Sequence, residues 1–330
     1  MTTVAKRIGF TTSLPVEVIL AAGHIPVDLN NLFIKGDTIK FISEAEQEGF
    51  PRNICSWIKG IYTIAQEANL DEVIGVTQGD CSNTHSLMAM LSDKGMQVYG
   101  FAFPAERNYS ALDEEIRKLE EHFGVTRKEV NRVKERLDAI RRDLLLLDEM
   151  TWKENLVMGE ENHSWLVSAS DFNGNPDKFD AELKSFLRQV KTRKAYQPRL
   201  RLAYLGVPPI FHNLHEVVHS LGGEIIYNEI QRQFAMLSLK PDLVEQYLDY
   251  TYPYTVFDRI KDIQVECEKR SLQAVISYTQ AFCHRQIDNI LLKKYIKLPF
   301  LTLEGDQPGE LDSRTLLRLE SFMEIHGEKL

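Results

Sequence analysis

Short strand-like runs alternate with helix-length stretches at both ends of this chain, and the alternation constrains the fold more than any other feature. RIGFTT (7–12) reads as a strand, PVEVILAAG as a short helix opened by Pro15 and closed by Gly23, and IPVDL as a second strand. CSWIKGIYTIAQEANL sets Trp57, Ile58, Ile61, Ile64 and Ala65 on one helical face. EVIGVTQ, the helix of SNTHSLMAMLSDKG and the strand QVYGFAF complete the first set. After Pro198 the pattern resumes with RLRLAYLGV, EIIYNE, QAVISYT and LPFLTLEG as strands, separated and followed by helical segments. Strands alternating with helices predict parallel sheets covered on both faces.

The stretch between differs. Thr126 and Glu129 have capping-box spacing, and Val130, Val133, Leu137, Ile140, Leu144 and Leu147 follow as one apolar helical seam that packs within the chain. The expected fold class is therefore α/β: two Rossmann-like lobes with parallel sheets and a helical section between them. The expected boundaries are 1–110 for the N-terminal lobe, 111–198 for the helical section and 199–330 for the C-terminal lobe. A ligand belongs in the crevice between the lobes, at the carboxyl ends of the strands.

At 330 residues, with 43% hydrophobic and 26% charged content, the chain can bury two ordinary cores. A net charge of −9 argues against nucleic acid as a partner. Runs such as VEVILAAG are too short to cross a bilayer, and MTTVAKRIGF lacks a signal layout, so no membrane and a cytoplasmic location are expected. The four cysteines, 55, 81, 267 and 283, form no CxxC pair and suggest no disulfide framework.

Cys267 shares an apolar stripe with Ile260 and Ile263, which reads as core. Cys55, Cys81 and Cys283 each open a helix, where backbone N–H groups favour thiolate, the form that binds metal. Spacing alone leaves open whether these three are unrelated or share a metal.

Their context resembles the family of 2-hydroxyacyl-CoA dehydratase and benzoyl-CoA reductase subunits. The likeness runs in order through LPVEVILAAGHIPVDL, NICSWIKG, VTQGDCSNTHSL, RLAYLGVPP, LGGEIIYNE, AVISYTQAFCHRQ and LPFLTLEGD…SRTLLRLESFMEI. The resemblance implies one [4Fe–4S] cluster held by Cys55, Cys81 and Cys283, with one iron not ligated by cysteine. It implies a radical elimination or reduction on a CoA thioester, through a low-potential electron from a separate ATP-hydrolysing iron–sulfur activator. The chain has no GxxxxGK[ST], so ATP hydrolysis falls to that partner. It also implies pairing with a related subunit or a second copy, as a homo- or heterodimer. Two alternatives stand beside it: a double-cubane-type small-molecule reductase, for which four cysteines are few, and a non-catalytic electron-transfer or maturation component.

Other residues carry two readings each. His24, Arg52 and His284 either flank the cluster or fill loops and face solvent. Thr77, Gln78 and Ser82 flank Cys81 and are placed to hydrogen-bond a ligand. Glu304 and Asp306 are read as capping a loop and meeting Arg314. Seven lysines and arginines without an acid, from Lys184 to Arg201, fit CoA phosphates, an acidic partner or a solvated helix end. His212, His215 and His219 have helical spacing but no added ligand for zinc.

Overall fold

The computed structural model describes residues 4–327. In chain order the elements are β1 (Arg7–Phe10), α1 (Val16–Ala21), β2 (Ile25–Asp28), α2 (Leu29–Lys35), α3 (Thr38–Gln47), α4 (Ser56–Glu67), β3 (Glu72–Gln78), α5 (Thr84–Asp93), β4 (Val98–Ala102) and α6 (Tyr109–Phe123). There follow α7 (Arg127–Trp152), α8 (Gly159–Ser168), α9 (Pro176–Val190), β5 (Leu200–Leu205), α10 (Leu214–Ser220), β6 (Gly223–Asn228), α11 (Glu229–Phe234) and α12 (Leu243–Leu248). Then come α13 (Val256–Lys269), β7 (Ala274–Gln280), α14 (Asp288–Tyr295), β8 (Phe300–Gly305) and α15 (Ser313–Gly327). No helix among the described residues is long and apolar enough to cross a membrane.

The expected α/β class is what the chain adopts. One sheet has the order β2-β1-β3-β4 and the other β6-β5-β7-β8, with every pair parallel. The central strands are buried almost throughout, as parallel strands covered on both faces must be, and this is why they read as unbroken apolar runs.

The chain divides into two compact units. The first is Met1–Arg142, Ser168–Ala181 and Phe234–Tyr254; the second is Asp143–Val167, Glu182–Gln233 and Thr255–Leu330. Each unit holds one sheet, and α7 contributes its first part to one and its last part to the other.

The capping box forms: Glu129 Oε2 accepts the Thr126 N–H at 2.8 Å and lies 2.7 Å from its hydroxyl. The apolar seam of α7 is buried at Val130, Leu137, Ile140, Leu144 and Leu147. A charged stripe is buried beside it at seven-residue intervals. Lys134 donates to the Lys240 carbonyl at 2.6 Å, Arg141 lies 2.7 Å from Glu17, and Asp148 pairs with Arg270 at 2.6 Å. Four short helices escaped the sequence reading, α2, α3, α11 and α12; the N-caps of the first two, Asp28 and Asp37, accept the N–H groups of Asn30 and Lys40.

Candidate functional site

In a sheet of order β2-β1-β3-β4 the chain leaves β1 and β3 in opposite directions, which opens a crevice past their carboxyl ends. In the first unit that place is built by the loops after β1 and β3. Thr11 ties the first loop to β3 itself, donating its N–H to the Ile74 carbonyl at 3.2 Å and accepting the Val76 N–H on its hydroxyl at 3.0 Å. Cys81 stands in the second loop, three residues past the end of β3, half-buried, its carbonyl accepting the Thr84 N–H that starts α5.

The loop is held tightly. Gly79 has φ +91°, and a Cβ built there would lie 2.6 Å from Pro253 Cβ, so only glycine fits. The Tyr252 hydroxyl donates to Asp80 Oδ1 at 3.1 Å. Thr77 donates its hydroxyl to the Phe101 carbonyl at 3.2 Å, which uses it structurally; Gln78 and Ser82 are exposed.

Cys55 is the N-cap of α4, with a non-helical backbone (φ −50°, ψ 129°) and no side-chain cap hydrogen bond. It is buried, and its carbonyl accepts the N–H groups of Ile58 and Lys59. Arg52 is exposed, but Lys59, one turn into the helix, is fully buried, with its ammonium 2.7 Å from Glu46 and 3.0 Å from the Arg52 carbonyl. Sequence reasoning passed over this cation because a lysine on a helix reads as solvated.

In the second unit Cys283 stands three residues past the end of β7, half-buried, as N-cap of a 3₁₀ turn (His284–Gln286). Gln280 anchors the loop. Its amide donates to the Asp306 carbonyl at 2.9 Å, and its side-chain oxygen accepts the Tyr278 hydroxyl at 2.7 Å. Phe282, just before the cysteine, has φ +63° and is 54% exposed, a strained conformation that holds an apolar ring in solvent.

The two cysteine loops are copies. β7 has the same place in its sheet as β3 in the other, and V-I-x-x-T-Q-x-x-C occurs at Val73–Cys81 and again at Val275–Cys283. This repeat is written in the sequence, and aligning the two strands exposes it.

The remaining residues sort clearly. Cys267 lies in the apolar cluster with Ile260 and Ile263, and burial pushes its thiol up to about 12. His24 precedes β2 and so lies at the amino edge of the first sheet, opposite the cysteine loop, its ring edge-on to Phe123. Of its two readings, loop filling is the one this placement fits. Asp312, rather than Glu304 or Asp306, caps α15, accepting the N–H groups of Arg314 and Thr315.

Within the basic block, Arg193 pairs with both oxygens of Glu161, and Arg201 donates to the carbonyls of Trp152 and Arg270. These two arginines hold the second unit together. The three histidines diverge: His212 is exposed, His219 contacts Glu224 at 2.8 Å, and His215 packs on His163, which the sequence reading missed. Burial pushes His215 down to about 4. Among the described residues no group of three or more His, Cys, Asp or Glu side chains is gathered for a metal ion.

A family model described as 2-hydroxyglutaryl-CoA dehydratase, D-component, matches residues 11–326. The chain belongs to that family. The matched span takes in every strand except β1, both copies of the repeat and all four cysteines. No curated protein matches the chain. Against the iron–sulfur cluster that the family resemblance implies, the donor set fits by its chemistry. Three thiols stand at strand ends or helix starts, where backbone N–H groups favour the thiolate that binds iron.

Proposed function

We propose that this chain is a D-component-type subunit carrying one [4Fe–4S] cluster on Cys55, Cys81 and Cys283, with one iron left without cysteine. It acts in the dehydration of a 2-hydroxyacyl-CoA thioester or a related reduction. It pairs with a related subunit or a second copy of itself, and a separate ATP-hydrolysing iron–sulfur activator supplies the electron. The observation that carries this reading is the repeated V-I-x-x-T-Q-x-x-C, which sets a thiol at the same point past the same strand of each sheet, within a matched family span.

When bound, the cluster supplies a low-potential electron and an open coordination site. The chain's own residues do the holding. Gly79 lets the loop approach Pro253, the Asp80–Tyr252 hydrogen bond fixes the turn before Cys81, and Gln280 ties the turn before Cys283 to the loop after β8. Lys59 sets a buried cation one turn from Cys55, and most of its charge is answered by Glu46. Such neighbours tune a cluster through charge and hydrogen bonding.

The test is anaerobic turnover with an activator of this family, ATP and a panel of 2-hydroxyacyl-CoA esters, followed by the appearance of the 2-enoyl-CoA. Turnover that depends on both activator and ATP supports the reading. Cluster-loaded protein inert to every ester, alone and with candidate partner subunits, contradicts the catalytic part.

A further inference from the structure

The duplication extends one element before each cysteine loop. The helix preceding β3 is α4 and the helix preceding β7 is α13. Their N-caps are Cys55 and Thr255. Both lie outside the helical region, with φ −50° and ψ 129° for Cys55 and φ −72° and ψ 154° for Thr255, and neither makes a side-chain cap hydrogen bond.

Four residues on, each helix buries a basic side chain held by a carboxylate. Lys59 lies 2.7 Å from Glu46, and Arg259 bonds both oxygens of Glu229 at 2.8 and 2.9 Å. Thr255 is thus the counterpart of Cys55 as Cys283 is of Cys81. Of the four positions so paired, three are cysteine and one is threonine.

A second observation is independent of the duplication. Within the first unit, the Tyr252 hydroxyl donates to Asp80 at 3.1 Å, and Pro253 packs on Gly79 so closely that a Cβ there would lie 2.6 Å away. The segment that leads into Thr255 is therefore packed on the loop that leads into Cys81. Thr255 follows Pro253 by two residues, as Cys81 follows Gly79.

We propose that Thr255 occupies the fourth corner of the cluster, facing the iron that has no cysteine. This rests on the cluster reading given above and adds to it the residue that keeps one corner exchangeable. A threonine hydroxyl stays protonated at neutral pH and ligates iron poorly where a thiolate would bind it firmly. Here the hydroxyl donates to Asp258 Oδ2 at 2.8 Å, which fixes the side chain and leaves its oxygen able to accept a hydrogen bond at that corner. Cysteine at 255 would close the site.

The experiment compares wild type, Thr255→Ser, Thr255→Cys and Thr255→Val, each reconstituted anaerobically and treated with limited ferricyanide. An iron without a thiolate is lost first: [4Fe–4S]²⁺ releases Fe²⁺ and gives one electron to ferricyanide, leaving [3Fe–4S]⁺, which is read by electron paramagnetic resonance and iron content. Wild type and Thr255→Ser are expected to convert. Thr255→Cys is expected to keep about four iron atoms and lose most of the three-iron signal. A full three-iron signal from cluster-loaded Thr255→Cys overturns the assignment while the cluster reading stands. Wild type that takes up no cluster overturns both.

Thr255→Val keeps the proposal falsifiable should Thr255→Cys fail to fold. Loss of the hydroxyl is expected to shift the spectrum of the reduced cluster, and a spectrum identical to wild type overturns the assignment.

Discussion

Asp171 accepts the backbone N–H of Asp28 at 2.8 Å, so two buried carboxyl groups share one site at the end of β2. Ser170 donates to Asp28 at 2.6 Å. Burial first, and the Asp28 carboxylate second, push Asp171 up from 3.8 to about 7. Between those values the folded chain holds a proton that the unfolded chain has released, so stability falls as pH rises through the window. The ceiling is about 4 kcal/mol, from about 1.36 kcal/mol per pH unit. The two carboxyl oxygens of Asp171 accept the N–H groups of Asp28 and Asn173 separately, so Asp171→Asn keeps an acceptor for one of them, at a loss that does not vary with pH, and removes the titration. Urea midpoints should move in the variant's favour between pH 5 and pH 8; a gap independent of pH contradicts the raised Asp171.

The histidine pair of the second unit works in the opposite direction. Burial holds His163 and His215 below the ordinary imidazole value of 6.5, His215 at about 4. The unfolded chain binds protons there first, so stability is lost as pH falls from about 6.5 towards 4. His163→Phe should flatten this acid limb in urea titrations at pH 4.5 and 6.5. An unchanged slope would show that the pair does not titrate as a buried unit.

Arg141 and Glu17 are both buried, and the Tyr247 hydroxyl donates to the second carboxylate oxygen at 2.8 Å. The guanidinium lies 2.7 Å from Oε1 without aligning a hydrogen bond to it, so the contact is one of charge. Arg141→Ala leaves a carboxylate buried without its cation and should cost about 3–5 kcal/mol in denaturant unfolding. The double variant Glu17→Gln, Arg141→Met should recover much of that loss. Full stability in Arg141→Ala alone would refute the account of this pair.

Gly79 and Gly95 both have positive φ, +91° and +84°, but only Gly79 faces a close neighbour, Pro253. Alanine at 95 should cost on the order of 1 kcal/mol for the backbone alone. Alanine at 79 should cost more and also lower iron uptake, since Pro253 or the Cys81 loop must move. Equal effects on stability and iron uptake would remove the positioning role given to Gly79.

Cys267, buried with its thiol pushed up to about 12, should be the slowest of the four cysteines to react with iodoacetamide at pH 8 in the native apo protein, and Cys267→Ala should leave iron uptake unchanged. Mass spectrometry of the alkylated peptides reads the order. Loss of iron in Cys267→Ala would make it a ligand after all.

What the sequence made legible follows from how each feature is encoded. Strands such as Ala274–Gln280, buried on both faces, leave an unbroken apolar run. The Thr126–Glu129 box carries its own spacing. Helices α2 and α3 are short, and their starts rest on Asp28 and Asp37, each also readable as a turn residue. The stripe Lys134, Arg141, Asp148 leaves no local signal in the sequence, because its partners, at Lys240, Glu17 and Arg270, lie far away in the chain.

The cysteine repeat was present but spread over 283 − 81 = 202 residues, and it became visible when β3 and β7 took the same place in their sheets. Thr255 carries no sequence signal of its own. Its position follows from Cys55 through the equivalence of α4 and α13.

Iron and acid-labile sulfide determined on the anaerobically reconstituted chain, beside Cys55→Ser, Cys81→Ser and Cys283→Ser, bear most directly on whether three distant thiols hold one cluster. About four iron and four sulfide per chain are expected in the wild type, with both reduced in each of the three variants. A wild-type protein that stays colourless, or serine variants that keep their full iron, would contradict it.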